Sequence, residues 1–501
     1  MSAATARKGV QPTPAALAPT VAAATVFVAS GAVLVLEILA VRLLAPYVGL
    51  TLSTTTSIIG AALAGIAIGA AAGGLMADRR EPRQLLVWLL IGGGLLALLT
   101  VPVVRALGPG ARGKGDAAAL GITLLALVPS AAVLSAISPT VARMQVRDLL
   151  TTGTIVGRLS AFATAGALLG TFGTGFVLVP LMPVSAAVLA TGALLVVGGL
   201  ALGLAGGSLR APAAVAAAAA AVLLALFGAT RESPCDTETT YHCASVIVAA
   251  DNPNARELIL DDLHHSYVDL KNPAHLEYGY TQWIGHAITA QAPSRDAPRD
   301  VVFVGGGGFT LPRWLLATHP GSNAHVLEVD GRLVDLDRER LGLRTSPQLQ
   351  VTVGDARMTM RDRPTASADV VVGDAFGTYA VPWHLATREW IGEVKRVLKP
   401  GGLYALNVID GGELKLMRAE TATVMEQFRN VWMVNAPGAD ARPGQGNAVL
   451  LASDGPLPDR VAGSNAWNGT SFNRMALEHW VGDATPLRDE LAPTDQLLQT
   501  S

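Results

Sequence analysis

The first 230 residues of this 501-residue chain are dominated by long apolar runs separated by short polar loops. A helix rises 1.5 Å per residue, so about 20 apolar residues cross the roughly 30 Å hydrocarbon core of a bilayer. We predict seven crossings, over residues 21–44, 54–77, 85–107, 117–141, 155–181, 184–205 and 211–229. Residues 1–19 are rich in Ala, Pro and Thr and are predicted to be a disordered tail, followed by a transmembrane helical domain over 20–230.

The Lys and Arg residues in the short loops predict the orientation of this bundle. With a cytoplasmic N-terminus, the inside would hold most of the basic residues near the spans: Arg7, Lys8, Arg79, Arg80, Arg83, Arg143, Arg147, Arg158 and Arg210. Seven crossings would then place the C-terminal domain outside the cytoplasm of a multi-pass cell-membrane protein. The seventh segment is rich in Ala, which inserts less favourably than Leu, and six crossings would leave the domain in the cytosol.

Cys235 and Cys243 are the only cysteines of the chain, and they follow the last apolar segment directly. We predict that they form a disulfide, because an isolated close pair suits the oxidising compartment on the extracytoplasmic side of the membrane. The alternatives are a pair of unlinked thiols and one half of a metal site that lacks its partners.

Beyond Tyr241 the pattern changes to short β-prone segments and turns. Residues 241–250 and 257–260 flank a turn cluster, so residues 235–295 are predicted to form a small β unit and a linking helix. Strand patterns at 301–304, 324–329, 349–353, 369–372 and 402–408 then alternate with helical ones, which predicts a parallel, doubly wound Rossmann-type α/β domain over 296–501. Residues 431–435 and 448–452 are predicted to close the sheet as an antiparallel pair.

Composition supports two environments for one chain. Half of the residues are hydrophobic, only 15% are charged, and the mean hydropathy is +0.41, which is too apolar for a soluble chain of this length. The net charge is -2 and there is no basic stripe with interleaved aromatic residues, so nucleic acid is not an expected partner.

The strand ends of the predicted α/β domain carry the candidate chemistry, since ligands of this fold bind beyond the carboxyl ends of the strands. Four consecutive glycines, Gly305, Gly306, Gly307 and Gly308, follow the first strand. Acidic residues follow each of the next three strands: Glu328 and Asp330 the second, Asp355 the third and Asp374 the fourth. Ala356, directly after Asp355, is a further candidate for cofactor binding. Glycines let a backbone approach a ligand, and an acid after the second strand commonly binds ribose hydroxyls. The pattern predicts a nucleoside site; the alternative is a set of turn-capping carboxylates.

These residues resemble the spermidine synthase family, and more closely the bacterial proteins in which a spermidine synthase-like (polyamine aminopropyltransferase) domain follows a multispanning region. The motifs are LEILAVRLLAPY at 36–47, GRLSA at 157–161, LDD at 260–262, LEYGY at 276–280, EVD at 328–330, GDA at 354–356 and LKPGG at 398–402. The resemblance implies transfer of an aminopropyl group from decarboxylated S-adenosylmethionine to an amine or polyamine, and a homodimer as a further expectation.

The resemblance also implies residue roles. Glu328 would hold the ribose and Asp355 the adenine amino group. The acceptor amine would contact His265, Glu277, Tyr280 and Tyr379, with Asp374, Tyr280 and His384 as the catalytic candidates.

Two departures from the family pattern affect the expected activity. The family has an acid in the glycine loop that receives the ammonium of the donor, and Gly308 stands at that position. It also has an Asp-Ser-Ser-Asp segment, which here is Asp374-Ala375-Phe376-Gly377, so the second acid is missing. Tyr379, His384 and Glu389 follow as potential replacements for it.

Three functions remain open from the sequence. The first is a membrane-anchored aminopropyl transferase with altered activity. The second is a methyltransferase that uses S-adenosylmethionine, with Gly308 making room for the donor carboxylate. The third is a non-catalytic polyamine- or nucleoside-binding or transport-coupled membrane protein. No metal is expected, because His264 and His265 are adjacent and point to opposite faces of a strand.

Overall fold

The computed structural model describes residues 17–49, 52–111, 114–146, 148–230, 232–261, 263–294, 296–377, 381–437, 443–457 and 469–498. Most of the predicted N-terminal tail therefore lies outside the described residues. The chain divides into two compact units with a boundary near residue 234. The boundary coincides with the change from apolar runs to strand patterns in the sequence.

The first unit is helical. Its helices are α1 Pro19–Val48, α2 Leu52–Arg79, α3 Pro82–Leu107, α4 Gly115–Ala126, α5 Val128–Ser135, α6 Ile137–Gln145, α7 Thr152–Gly173, α8 Val179–Leu181, α9 Val184–Ala205 and α10 Ala211–Thr230. A π-helical turn, Thr174–Leu178, joins α7 to α8. By length and composition, six helical stretches of the described chain could cross a membrane, and a bent helix pair would make seven.

The bent pair corresponds to the predicted fourth span and divides it into two pieces at an angle of 46°. Pro129 lies at the break and has no backbone N–H to donate. Two side chains bond the carbonyls at the break: the hydroxyl of Thr100 donates to Ala126 O over 3.0 Å, and that of Ser130 donates to Leu127 O over 2.8 Å. The two carbonyl groups at the break are therefore paired, as buried backbone groups require.

Small residues let the helices of this unit approach closely. A Cβ atom added to Gly166 of α7 would lie 2.1 Å from the carbonyl oxygen of Phe27 in α1, and one added to Gly69 of α2 would lie 2.0 Å from that of Ala132 in α5. No side chain fits at such distances, so glycine at these positions sets the spacing between the helices.

The second unit begins with a four-stranded antiparallel sheet of β1 Thr237–Glu238, β2 Cys243–Val248, β3 Ala255–Leu260 and β4 Leu263–Asp269, in that order. A disulfide joins Cys235 to Cys243, which confirms the predicted pairing. Helix α11, Gly279–Gln291, follows this sheet.

The main sheet comprises β5 Asp300–Val304, β6 Asn323–Glu328, β7 Leu349–Val353, β8 Ala368–Gly373, β9 Leu398–Asp410, β10 Asn430–Pro437, β11 Pro443–Ser453 and β12 Thr470–Phe472. Its helices are α12 Thr310–Thr318, α13 Gly331–Arg340, α14 Ala356–Thr359, α15 Arg388–Val397, α16 Lys415–Gln427, α17 Arg474–Val481 and α18 Thr494–Leu497. The strand order is β12-β10-β11-β9-β8-β5-β6-β7.

The sheet is mixed. Strands β5 to β9 pair in parallel, while β11 pairs antiparallel with both β9 and β10, as predicted for the closing pair. The chain runs outward from β5 through β6 to β7 and then returns to the other side of β5 with β8. The strand order thus reverses between β5 and β8, and in open α/β sheets this is the position of the ligand crevice.

Alternate residues of the central strands pack on the two faces of this sheet. Val302 and Val304 of β5 belong to the core that contains Trp390, whereas Val301 and Phe303 belong to the core that contains Trp314. Both faces of β5 are thus covered by apolar side chains, which fixes the strand ends that carry the polar residues.

Candidate functional site

The glycine loop and Asp374 lie side by side where β5 and β8 end. The Asp374 N–H donates to Val304 O over 2.9 Å, and the Gly305 N–H donates to Leu327 O over 2.9 Å. Gly305 has a φ of +95°, and a Cβ atom there would lie 2.3 Å from the carbonyl oxygen of Asp374. Both the conformation and the close approach require glycine at this position.

Glu328, at the end of β6, is held by two backbone N–H groups. Its Oε2 accepts from Gly306 N over 2.7 Å, and its Oε1 accepts from Asp330 N over 2.9 Å. The residue is only 6% exposed. Burial raises the pKa of Glu328, and the two N–H groups oppose that rise. The two bonds therefore fix the carboxylate against the glycine loop.

Asp330, predicted from the sequence to bind the cofactor, lies two residues after Glu328. It is fully buried, and its Oδ1 caps α13 by accepting from Arg332 N over 3.1 Å and Leu333 N over 3.3 Å. Its Oδ2 accepts from the hydroxyl of Thr239 and from Tyr241 N. The carboxylate bonds protein groups from two directions, so the structure places it in the support of the site rather than on its surface.

Asp374 is the centre of a polar group at the end of β8. The side-chain amide of Asn407 donates to its Oδ1 over 2.8 Å, and the Tyr280 hydroxyl lies 3.3 Å from its Oδ2. Asn447 in turn donates to Asn407 Oδ1 over 3.0 Å. Burial raises the pKa of Asp374 to about 6, although the two hydrogen bonds act to lower it. A carboxyl group with this pKa can accept a proton near neutral pH.

Tyr280, on α11, remains a neutral hydroxyl at the same place. Burial raises its pKa well above the ordinary value, and the nearby charge of Asp374 adds to that effect. The hydroxyl can therefore donate to the carboxylate or bind a substrate but does not supply a negative charge.

Asp355 and His384 form a separate pair beside the site. Asp355 caps α14 through its Oδ1, which accepts from Arg357 N over 2.8 Å, and its Oδ2 lies 3.2 Å from His384 Nε2. Ala356 is buried as the first residue of α14. The predicted catalytic residue His384 thus pairs with the carboxylate of Asp355.

The predicted acceptor-binding residues lie in different surroundings. His265 is half-buried, with its ring 6.3 Å from that of His242, and burial together with His242 lowers its pKa to about 4, so the imidazole is neutral at pH 7. Glu277 is exposed and pairs with His275 over 2.9 Å. Tyr379 lies outside the described residues.

Ser266 and Asn407 belong to the site and were missed from the sequence. The hydroxyl of Ser266 accepts from Gly308 N over 2.9 Å, and a Cβ atom on Gly308 would lie 2.9 Å from Ser266 Cβ. Ser266 thus lies beside Gly308, where the methyltransferase alternative places the donor carboxylate. For Asn407, the available signal was one amide side chain among the hydrophobic residues of 403–408 in β9.

Groups of three or more His, Cys, Asp or Glu side chains able to hold a metal ion do not occur within the described residues. At the strand ends, the carboxyl group of Glu328 is held by the glycine loop and that of Asp374 by Asn407.

Comparison with known proteins relates the chain to polyamine aminopropyltransferases. It is 27% identical over 167 residues to the polyamine aminopropyltransferase of Vibrio vulnificus, covering 33% of this chain and 54% of the relative. It is 28% identical over 191 residues to that of Pyrobaculum calidifontis, covering 36% and 62%. The chain thus spans about half to three fifths of the length of these relatives.

Among solved structures, a probable spermidine synthase from Corynebacterium glutamicum has 25% sequence identity and a TM-score of 0.47, covering 53% of this chain and 98% of the other. No protein-family model matches the chain. About one third of the chain is therefore similar to polyamine aminopropyltransferases, at low identity.

Proposed function

We propose that the second unit, the α/β unit, is a transferase that binds decarboxylated S-adenosylmethionine and moves its aminopropyl group to an amine. The observation that carries the proposal is the buried Glu328 carboxylate, fixed by Gly306 N–H at the point where strand order reverses. An acid at this position of the fold binds ribose hydroxyls. The similarity to polyamine aminopropyltransferases supports the same class of donor.

The donor would lie across the carboxyl ends of β5, β6 and β7. Glu328 would bind the ribose hydroxyls, and the glycine loop would let the backbone approach the donor closely. Asp355, at the end of β7, would bind the adenine amino group with the lone pairs that Arg357 N–H and His384 leave available.

Asp374 would act as the base. The acceptor nitrogen attacks the aminopropyl carbon bonded to the sulfonium sulfur, and a bond forms between nitrogen and this carbon. The bond between the aminopropyl carbon and sulfur breaks, and its electron pair stays on sulfur as methylthioadenosine leaves. The proton lost by the nitrogen goes to Asp374. An alkylammonium with a pKa of about 10.4 is not a nucleophile until it loses a proton, and Asp374, with a pKa of about 6, is deprotonated at pH 7.

The proposed acceptor site has fewer acids than a diamine would use. Phe376 and Gly377 follow Asp374 where a second acid would bind the distal ammonium, and Glu277 is exposed and paired with His275. We therefore propose an acceptor with a single reacting amine, positioned by Tyr280 and by the neutral ring of His265.

We also propose that the helical unit anchors the enzyme in the cell membrane, with a cytoplasmic N-terminus and the second unit outside the cytoplasm. Support comes from the six or seven helical stretches with the length and composition of spans and from the Cys235–Cys243 disulfide. Labelling of the two thiols in intact cells after an impermeant reductant tests this; labelling only after permeabilisation contradicts it.

The disulfide also favours a second candidate function. Adenosyl sulfonium donors are made in the cytosol, so an extracytoplasmic domain would suit a module that binds a polyamine or a nucleoside without catalysis. Calorimetric titration with decarboxylated S-adenosylmethionine, S-adenosylmethionine and methylthioadenosine, followed by an assay with putrescine and with a monoamine, separates the two. Binding with turnover supports the transferase, and binding without turnover supports the second function. Methyl transfer from S-adenosylmethionine would contradict both candidates and support the methyltransferase instead.

A further inference from the structure

A short hairpin at the start of the second unit is closed by the Cys235–Cys243 disulfide. Its two strands pair antiparallel, Thr237 with Ala244 and Glu238 with Cys243. At the turn, Thr239 N donates to His242 O over 2.8 Å, and His242 N donates back to Thr239 Oγ1 over 2.9 Å. The side chain of Thr239 is therefore held in one orientation at the tip of the hairpin.

The tip of this hairpin contacts the carboxylate of Asp330. The hydroxyl of Thr239 and the backbone N–H of Tyr241, 3.1 Å away, both bond Asp330 Oδ2. The other oxygen, Oδ1, caps α13. Asp330 is fully buried, so solvent does not replace the hairpin contacts if they are lost.

Asp330 in turn holds Glu328. The backbone N–H of Asp330 donates to Glu328 Oε1 over 2.9 Å, while Gly306 N–H donates to Oε2 over 2.7 Å. A contiguous series of bonds thus runs from the disulfide through Thr239 and Asp330 to the carboxylate of the proposed ribose site.

The hairpin is also tied to the rest of its sheet by Asp261, which has a positive φ of 59°. The Asp261 carboxylate accepts from Cys243 N over 3.1 Å and lies 2.9 Å from His242 Nδ1. The disulfide therefore joins a segment that is already ordered on the β2 side to the segment that carries Thr239.

We propose that the disulfide-closed hairpin positions the donor-binding carboxylate, with Thr239 as the positioning residue and Asp330 as the connection to Glu328. The identity of the ligand rests on the proposed function, whereas the hydrogen bonds from Thr239 through Asp330 to Glu328 do not depend on it. With the disulfide open, the segment from Cys235 to Thr239 regains conformational freedom, the Thr239 contact to Asp330 is lost, and Glu328 is less well ordered for the ribose.

The first test measures the affinity of the full-length detergent-solubilised protein for methylthioadenosine. Thr239→Val keeps the shape and removes the hydroxyl, and we expect about a tenfold weaker Kd, the effect of one buried hydrogen bond to a charged group. Thr239→Ser restores the hydroxyl and should restore the affinity. Thr421→Val removes a buried hydroxyl that bonds Met417 O in α16 and should leave Kd unchanged. Equal affinity of Thr239→Val and wild type overturns the proposal.

Reduction provides a second arm. Dithiothreitol gives two electrons and two protons to the disulfide and is itself oxidised to its cyclic disulfide. It should weaken methylthioadenosine binding by the wild type, but not by the Cys235→Ser/Cys243→Ser double variant, which should already bind weakly in the absence of reductant. An unchanged wild-type Kd after complete reduction overturns the proposal.

Hydrogen exchange separates this inference from the proposed function, because it requires no ligand. The amides of Gly306 and Asp330 donate to Glu328, and their protection should fall on reduction and in Thr239→Val. If methylthioadenosine does not bind but this protection falls, the positioning role stands and the proposed function fails. If the protection of these amides is unchanged on reduction and in Thr239→Val, the positioning role is wrong, irrespective of which ligand binds.

Discussion

The side-chain amide of Asn407 lies 2.8 Å from Asp374 Oδ1 and donates a hydrogen bond to it. The two residues come from neighbouring parallel strands, β9 and β8, and meet at the carboxyl edge of the sheet. Burial raises the pKa of Asp374, whereas the Asn407 amide favours the ionised form. The balance of the two effects gives a carboxyl group that is ionised at pH 7 and can still accept a proton.

Asp374→Asn should lower kcat by about 10²- to 10⁴-fold, because a positioned general base contributes about that much. The affinity for methylthioadenosine should change little, since the variant keeps the shape of the residue. Asp369→Asn is the matched control in the same strand; Asp369 lies at the opposite end of β8, pairs with Lys399 over 3.1 Å, and should be dispensable for kcat. Full activity of Asp374→Asn contradicts the assignment of the base.

The pH profile should follow the ionisation of Asp374. A base must be deprotonated to act, so kcat/KM should rise with pH through about 6, where burial places the pKa of Asp374. Asn407→Ala removes a hydrogen-bond donor to the ionised form of Asp374. The rise in kcat/KM should therefore occur about one pH unit higher. If the rise in kcat/KM occurs at the same pH or at a lower pH, a group other than Asp374 controls the profile.

Glu328→Gln should weaken the binding of methylthioadenosine by about 10- to 100-fold, because hydrogen bonds to a charged acceptor are stronger than those to an amide. Glu339→Gln, at an exposed position of α13, serves as the control and should bind like the wild type. Isothermal titration calorimetry measures both. Equal affinity of the two variants would place the ribose elsewhere.

Gly305→Ala should destabilise the α/β unit and abolish nucleoside binding, because its Cβ atom would lie 2.3 Å from Asp374 O at a φ of +95°. Gly392→Ala is the matched control in the interior of α15, where an added Cβ atom meets nothing within 4 Å. It should stabilise the unit by about 0.5–1 kcal/mol through helix propensity. Thermal unfolding followed by tryptophan fluorescence compares them, and a Gly305→Ala variant as stable as the wild type would contradict the geometry.

Replacing both Cys235 and Cys243 by Ser should lower the free energy of unfolding of the α/β unit by about 2–3 kcal/mol, the loop-closure entropy of a short loop. The wild type in reductant should unfold like the double variant. Urea titration with and without reductant measures this, and an unfolding transition insensitive to reductant would show that the bond is absent in solution.

Much of the fold follows from local patterns in the sequence. The alternation of strand and helical patterns predicted the α/β domain, and the later segments predicted the antiparallel closing pair that is found in β10 and β11. The bend in the fourth predicted span was not expected, because hydropathy alone does not distinguish a straight helix from one interrupted at Pro129.

The site was predictable only where a residue follows a strand end. Glu328 and Asp374 were predicted in this way, and their roles remain predictions. Asp330 occupies an equivalent position, and its capping of α13 is a local contact that the turn-capping alternative covers. Its partner Thr239 lies 91 residues away in sequence, so only the tertiary structure shows that Asp330 anchors the hairpin. Ser266 and Asn407 reach the glycine loop and Asp374 from other strands, so their roles depend on how those strands are placed in space.

The most direct test of the central claim is an experimental structure of the full-length protein with methylthioadenosine. The account predicts the ribose hydroxyls within hydrogen-bond distance of the Glu328 carboxylate and the sulfur on the side of Asp374. A nucleoside bound elsewhere, or a cleft that stays empty at saturating ligand, would contradict it.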